Sequence, residues 1–412
     1  MPPSITSLSG TFTDGATVTL AGSGFGTNAL NIEWLKPTIQ AGALGATFSK
    51  AKWSTTSNAG EPGATYQTEQ FYSRTKSLRS RRNPAAGNFS AGYQYDHGSE
   101  LTSVYVSWCL RAERLAGEGQ WKIWRLNDQS AYSDSSPENY GNYWINSDDS
   151  VNFAQIYNRP NSTTQEWLRD TNGDGTWDVK DNHYLETSPG NPDLLQIPRL
   201  GVWQRLSYYW SKNTSPGRAD GTFLYWLERR AGAAVLRWRN HQYNGTLMTH
   251  GSSNTDVMRF VKFGHYYGNG ITSFRQYTDH VFVQIGSQAR VELGNAAVYD
   301  NCTHREIQVP SVWSDTSITI EAIEGQLLSG SRYLFVVDAN GAVSAGFAVT
   351  GAANTIIIPP AISYQWTLAN ATLGASRRLV VEPVNWEWRV DEPVNLSVPL
   401  VSRPPVGERP AV

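Results

Sequence analysis

Val202-Trp203-Gln204-Arg205-Leu206-Ser207-Tyr208-Tyr209-Trp210 and Asp220-Gly221-Thr222-Phe223-Leu224-Tyr225-Trp226-Leu227 are two runs in which apolar and polar residues alternate. A period of two puts Leu206, Tyr208 and Trp210 on one face of a strand and Arg205 and Ser207 on the other. Between the runs lie Pro216, Gly217, Asp220 and Gly221, residues suited to a turn. The pair predicts a β-hairpin in a sheet with a buried face and an outer one. The same alternation marks Ser103–Cys109, Trp121–Arg125 and Tyr277–Val283 as strands. Aromatic residues make up 12% of the 412 residues, with 16 Trp, 20 Tyr and 13 Phe. No long Ala/Leu/Glu/Lys stretch carries helical periodicity. The expected class is all-β.

Together these runs resemble a concanavalin A-like (LamG-like) jelly roll over residues 30–288, with Tyr277-Thr278-Asp279-His280-Val281-Phe282-Val283 as the closing strand. Residues 3–27, with Val18-Thr19-Leu20 and Gly22, Gly24 and Gly26 around Phe25, resemble the opening of an immunoglobulin-like IPT/TIG domain. That pattern resumes at Arg290-Val291-Glu292-Leu293-Gly294 and continues through Ile318–Glu321 and Tyr333–Val337 to Asn340-Gly341, a hairpin signal. The expectation is a small sandwich from 1–29 and 289–351, a jelly roll inserted at 30–288, and an extended arm over 352–412. The Pro-rich end, 399–410, suits such an arm.

A formal net charge of -2 argues against general nucleic-acid binding. Cys109 and Cys302 are the only cysteines, too few for a disulfide scaffold. Cys109 lies inside a strand and reads as a buried, inert thiol. The Met1–Leu8 opening has no basic region followed by an apolar run, and no apolar stretch approaches membrane-spanning length.

Residues 170–181, Asp-Thr-Asn-Gly-Asp-Gly-Thr-Trp-Asp-Val-Lys-Asp, have the spacing of a calcium loop. Oxygen ligands are expected from Asp170, Asn172, Asp174, the Thr176 carbonyl, Asp178 and Asp181, with Gly175 at the sharp turn. Aspartate at the last position resembles dockerin-type extracellular repeats. Nothing in the loop supplies a nucleophile, so Ca2+ is expected to be structural. A calcium-fastened β protein without an export signal, ending in an arm, suits a bacteriophage virion surface protein. A head-decoration or fibre-like role is expected, with other virion proteins or its own copies as partners. An extracellular protein is the alternative setting.

Two surfaces suggest sugar chemistry. Trp121, Trp124, Tyr140, Tyr143, Trp144 and Tyr157 form an aromatic-rich stretch on which sugar rings could stack. Arg74, Lys76, Arg79, Arg81 and Arg82 form a basic run, with Arg79 and Arg81 on one strand face. That face suits an acidic polysaccharide, an acidic protein surface or a solvated sheet edge. Phe260-Val261-Lys262-Phe263-Gly264-His265-Tyr266 and Gln155-Ile156-Tyr157 resemble motifs of alginate-lyase-type jelly rolls, as does Ser77-Leu78-Arg79-Ser80-Arg81. The resemblance implies Tyr266, Lys262 and Arg79 as the groups for β-elimination. Tyr157 stands where that family has histidine, and the arginine strand lacks its acidic partner. A non-catalytic role is therefore the leading expectation, and a polysaccharide lyase or secreted carbohydrate-binding protein the alternative. Glu228 and Asp279 are the default carboxylates for glycoside hydrolysis, but no strand carries a Glu-x-Asp-x-x-Glu pattern.

Overall fold

A computed structural model describes residues 1–56, 63–82, 92–117, 119–127, 138–145, 151–159, 167–169, 179–181, 184–186, 200–215, 221–229, 239–242, 258–268, 270–271, 273–328 and 330–349. Only the backbone is described for 138–186, 239–242, 265–268 and positions 56, 82, 120, 127, 223, 225, 227 and 229 within these segments. The protein is all-β. Among the described residues the helical elements are one short α-helix, Lys36–Ala41, and a 3-10 turn, Tyr299–Asn301. Among them, no helix is long and apolar enough to cross a membrane. Residues 1–355 form one compact unit, and the predicted arm at 352–412 lies outside the described residues.

Two sheets face each other across the main core. The front sheet runs, in spatial order, Tyr184–Glu186, Val151–Arg159, Glu138–Ile145, Gly119–Asn127, Phe260–Gly268, Gly92–Asp96 and Trp53–Thr56. The back sheet runs Arg239–Gln242, Thr222–Arg229, Gln204–Ser211, Ser103–Ala116, Ser273–Ile285, Ser77–Arg82 and Thr65–Gln67, with Ile32–Trp34 paired onto Ser273–Ile285. The strand alternation explains the core directly. Leu206, Tyr208, Trp210, Trp108 and Leu110 point inward from the back sheet, and Trp121, Trp124, Val261, Phe263 and Tyr93 from the front. Trp124 stacks on Tyr208 with centroids 4.4 Å apart. Trp108 meets Phe263 edge-on at 5.3 Å. Such ring pairs add about 0.5–1.5 kcal/mol each beyond their area burial.

A third, terminal sheet joins both ends of this unit. Its order is Ser4–Ser9, Thr17–Ser23, Ser317–Glu321, Arg305–Trp313, Arg290–Gly294, Tyr333–Val337 and Phe347–Ala348. Val18, Leu20, Val291, Leu293, Ile318, Ile320, Leu334 and Val336 make its own core. At 338–341 the chain turns on Asp338, whose Oδ1 accepts the Asn340 and Ala342 N–H groups at 2.8 Å each.

The terminal sheet covers part of the back sheet's outer face. Tyr105, Leu224, Trp226 and Phe282 meet Ile307 there in a small apolar cluster. A buried charge network surrounds it. Arg205 donates to Ser107 Oγ (2.8 Å), the Arg305 carbonyl (2.9 Å) and Glu292. Glu292 Oε2 also lies 3.6 Å from Arg290 Nε and 3.9 Å from Arg305 Nη1, and it accepts the Tyr299 hydroxyl. Burial alone would raise the Glu292 carboxyl, but Arg205, Arg290 and Arg305 outweigh it and hold it far below the usual range. The closing strand bulges between Asp279 and Phe282, with His280 at φ 48°. Asp279 pairs with Lys36 Nζ at 2.6 and 2.8 Å. Glu306 accepts from the Tyr72 hydroxyl (2.7 Å) and pairs with His304 Nε2 (2.5 Å). Cys109 and Cys302 are both buried and unpaired, and burial pushes the Cys109 thiol well up, an inert form.

Candidate functional site

Beyond the docked terminal sheet, the back sheet's outer face carries half-buried charged residues. Three central strands build a two-row patch. Arg79, Tyr277 and Arg111 stand opposite one another in one row, and Arg81, Arg275 and Glu113 in the next. Leu78 and Ser80 are buried while Arg79 and Arg81 are half-buried, so the two arginines share the outer face by strand alternation. Ser77–Arg82 lies one strand in from the sheet edge, because Thr65–Gln67 pairs outside it. Arg79 and Arg81 are therefore part of the sheet's face, while Arg74 and Lys76 precede the strand, Arg74 pairing with Asp14 and Lys76 donating to the Gln40 and Gly42 carbonyls.

Tyr277 is the centre of the patch. Its ring is 1% exposed, and its hydroxyl donates to Glu69 Oε2 at 3.0 Å and Glu113 Oε2 at 3.4 Å. Burial, with Glu113 nearby, pushes its phenol up to about 12. It therefore stays a neutral donor at physiological pH. Arg79 donates to Glu69 Oε1, and Arg275 Nη1 lies 3.8 Å from Glu69 Oε2. Burial would raise the Glu69 carboxyl, yet hydrogen bonding and charge from Arg79 lower it, so it is ionised. Arg111 Nε donates to Glu113 Oε1 at 3.0 Å. Arg79 Nε is buried with no hydrogen-bond partner among the described residues. Arg275 and Glu69 are the most accessible members, with side chains 40% and 47% exposed.

The front sheet gathers most of the residues expected of a lyase, but not all. Lys262 stands opposite Gln94 on one side and Arg125 on the other, with Tyr140 and then Tyr157 continuing the row in backbone register. Tyr266 is in register with Lys122, and Gln155 with Asn142. Gly264, at φ 63°, sits in the irregularity between Phe263 and Tyr266 that sets this register. Arg79 is not there. It projects from the back sheet on the far side of the shared core, so it cannot share a cleft with Lys262. Arg125 takes the place beside Lys262 instead. Lys262 and Arg125 are each 0% exposed and both are partnered, so neither side chain faces solvent.

Trp121 and Trp124 are also placed differently from the sequence expectation. Both are wholly buried in the main core, and Trp121 Nε1 donates across it to Gln276 Oε1 at 3.0 Å. Neither ring can stack on a sugar from solvent. Tyr143, Trp144 and Tyr157 fall on the two neighbouring front strands, where only the backbone is described. Glu228 and Asp279 belong to the junction: Glu228 accepts the Arg305 backbone N–H at 3.0 Å, and Asp279 holds Lys36.

Of the calcium loop, Asp170, Asn172, Asp174, Thr176 and Asp178 lie outside the described residues, and Asp181 ends the strand Val179–Asp181 that pairs with Trp167–Arg169. Among the described residues no group of His, Cys, Asp and Glu is arranged to hold a metal. The patch residues that sequence reasoning missed are Glu69, Arg111, Glu113, Arg275 and Tyr277. Arg111-x-Glu113 and Arg275-x-Tyr277 are strand-spaced polar pairs, a usable signal once the register between their strands is known.

No protein-family model and no curated protein matches this chain. Similar solved structures include alginate lyase vAL-1 from Chlorella virus, 10% identical over 59% of this chain and 100% of that one, with a TM-score of 0.34. Another is full-length tailspike protein 2 of an Escherichia coli O157:H7 bacteriophage, 12% identical over 59% of this chain and 27% of that one, also at 0.34. A third is the cellulose-induced protein Cip1, 15% identical over 57% and 92% of the two chains, at 0.31. These neighbours are remote.

Proposed function

We propose that this chain is a non-enzymatic surface protein of a bacteriophage particle that adheres to an acidic polysaccharide through the outer face of its back sheet. The observation that carries the adhesive role is the cross-strand row Arg79–Tyr277–Arg111 beside Arg81–Arg275–Glu113, in which the Arg275 side chain is 40% exposed. Arginine presents a planar fork of N–H donors that suits carboxylate groups. The virion setting takes the Pro-rich 399–410 stretch, whose composition suits an extended arm, as its anchor to neighbouring proteins. Calcium held by 170–181 belongs to the same proposal as a structural fastening.

The test is retention on immobilised acidic polysaccharides such as polyglucuronate and alginate, against neutral dextran. Retention on the acidic polymers, weakened by salt and by Arg79→Gln with Arg275→Gln, supports the proposal. Equal retention on dextran, or none on any polymer, rejects it. Lys262 and Tyr266 on one front-sheet strand, with Gln155 three strands away in the same sheet, favour a second reading, a lyase. Release of unsaturated uronate products that disappears with Tyr266→Phe would establish that reading in place of the first.

A further inference from the structure

We infer that the back-sheet patch recognises single carboxylated sugar residues by their carboxylate and neighbouring hydroxyls together, and discriminates against sulfated chains. This rests on the proposed adhesive role of the same face and assigns its ligand class. The charge count is the first argument. Arg79, Arg81, Arg111 and Arg275 bring four positive charges and Glu69 and Glu113 two negative ones, so the surplus is only two. A patch that bound polyanions by charge alone would not hold two carboxylates among its arginines.

The positions of the glutamates give the second argument. Glu69 and Glu113 both accept the Tyr277 hydroxyl, so a single buried phenol fixes both carboxylates in the middle of the arginine rows. Each retains further acceptor capacity, since an ionised carboxylate takes about four hydrogen bonds. The groups that match them are sugar hydroxyls, which donate. A uronate ring offers one carboxylate for the guanidinium forks with hydroxyls alongside it. A heavily sulfated ring replaces those hydroxyls by anions, which Glu69 and Glu113 repel.

The arginines are disposed for the other half of the ligand. Arg275 is the accessible fork, and Arg79 keeps a buried Nε without a partner among the described residues. The rim supplies a ring face. Gln204 pairs with Leu110, so one further residue in that register brings Trp203 beside Arg111. Trp203 is half-buried and held edge-on against Tyr72 at 5.7 Å. Its remaining surface is suited to the apolar face of a sugar ring.

The experiment compares, by titration calorimetry on the full chain, a hexaglucuronate, a sulfated glucan oligosaccharide of equal length and a neutral glucan. The wild type is expected to bind the uronate at least tenfold more tightly than the sulfated oligosaccharide, with no measurable neutral binding. Glu69→Gln with Glu113→Gln is expected to remove most of that preference by strengthening sulfated binding, at an unchanged melting temperature. Tyr277→Phe, which frees both carboxylates, is expected to weaken uronate binding while leaving the sulfated oligosaccharide unaffected. Equal or tighter binding of the sulfated ligand by the wild type overturns the inference and leaves the adhesive role standing. Absence of binding to both anionic ligands overturns the adhesive role as well.

Discussion

Arg205→Met and Glu292→Gln separate the two kinds of charge in the junction between the terminal and back sheets. Met fills roughly the volume of the Arg205 stem, so the change is mainly electrostatic and in hydrogen bonding. It removes the bonds to Ser107 and the Arg305 carbonyl, each worth about 1 kcal/mol net. The Glu292 carboxylate is then still flanked by Arg290 at 3.6 Å and Arg305 at 3.9 Å and still accepts the Tyr299 hydroxyl. The cost should fall near the lower end for breaking a buried pair, about 3 kcal/mol. Glu292→Gln instead leaves Arg205, Arg290 and Arg305 as three buried guanidiniums around a neutral amide. That cost should reach the upper end, about 5 kcal/mol. Urea denaturation followed by tryptophan fluorescence at neutral pH should rank the midpoints wild type, Arg205→Met, Glu292→Gln. The reverse order, or two variants within about 1 kcal/mol of wild type, would refute the charge assignment.

The junction should also weaken in acid. Burial would raise Glu306, but the His304 charge and the His280 and His304 hydrogen bonds hold it well below the ordinary 4.5. A carboxyl depressed in the folded state contributes stability above 4.5 that is lost as pH falls below it. Thermal melts from pH 7 to 3 should therefore fall steeply below about 4.5, and Glu306→Gln should be less stable at pH 7 with a shallower acid slope. Glu228, which burial pushes upward, slopes the other way, so a Glu306→Gln curve parallel to wild type is the contradicting result. Trp124→Ala should cost about 3–5 kcal/mol without impairing polysaccharide retention below the melting temperature; lost retention in a folded variant would return Trp124 to the sugar site. Chelation should lower the melting temperature, and Asp170→Ala with Asp174→Ala should abolish that effect. No calcium dependence in wild type would remove the metal from the 170–181 loop.

The all-β class was legible because alternation is local: Leu206, Tyr208 and Trp210 declare a buried face without reference to any other strand. Faces become illegible where strands bulge. Pairing of Glu138–Ile145 passes over Ile123 between Trp124 and Lys122. The Trp121 and Trp124 rings therefore both turn inward, and Lys122 and Arg125 lie off the core. The aromatic stretch looked like a sugar platform because nothing in the sequence marks that irregularity. Arg79 and Arg81 were correctly given one face, yet their surroundings depend on long-range register. Glu69 and Tyr277 share a hydrogen bond across 208 residues. Without the strand order, Arg79 could be paired equally well with Lys262 on the other sheet.

The most direct test of the account is a crystal structure of the full chain with a bound hexaglucuronate. The expected complex has a uronate carboxylate against Arg275 and Arg79, ring hydroxyls on Glu69 and Glu113, and a sugar face on Trp203. A ligand seated instead on the front sheet beside Lys262 and Arg125 would contradict it.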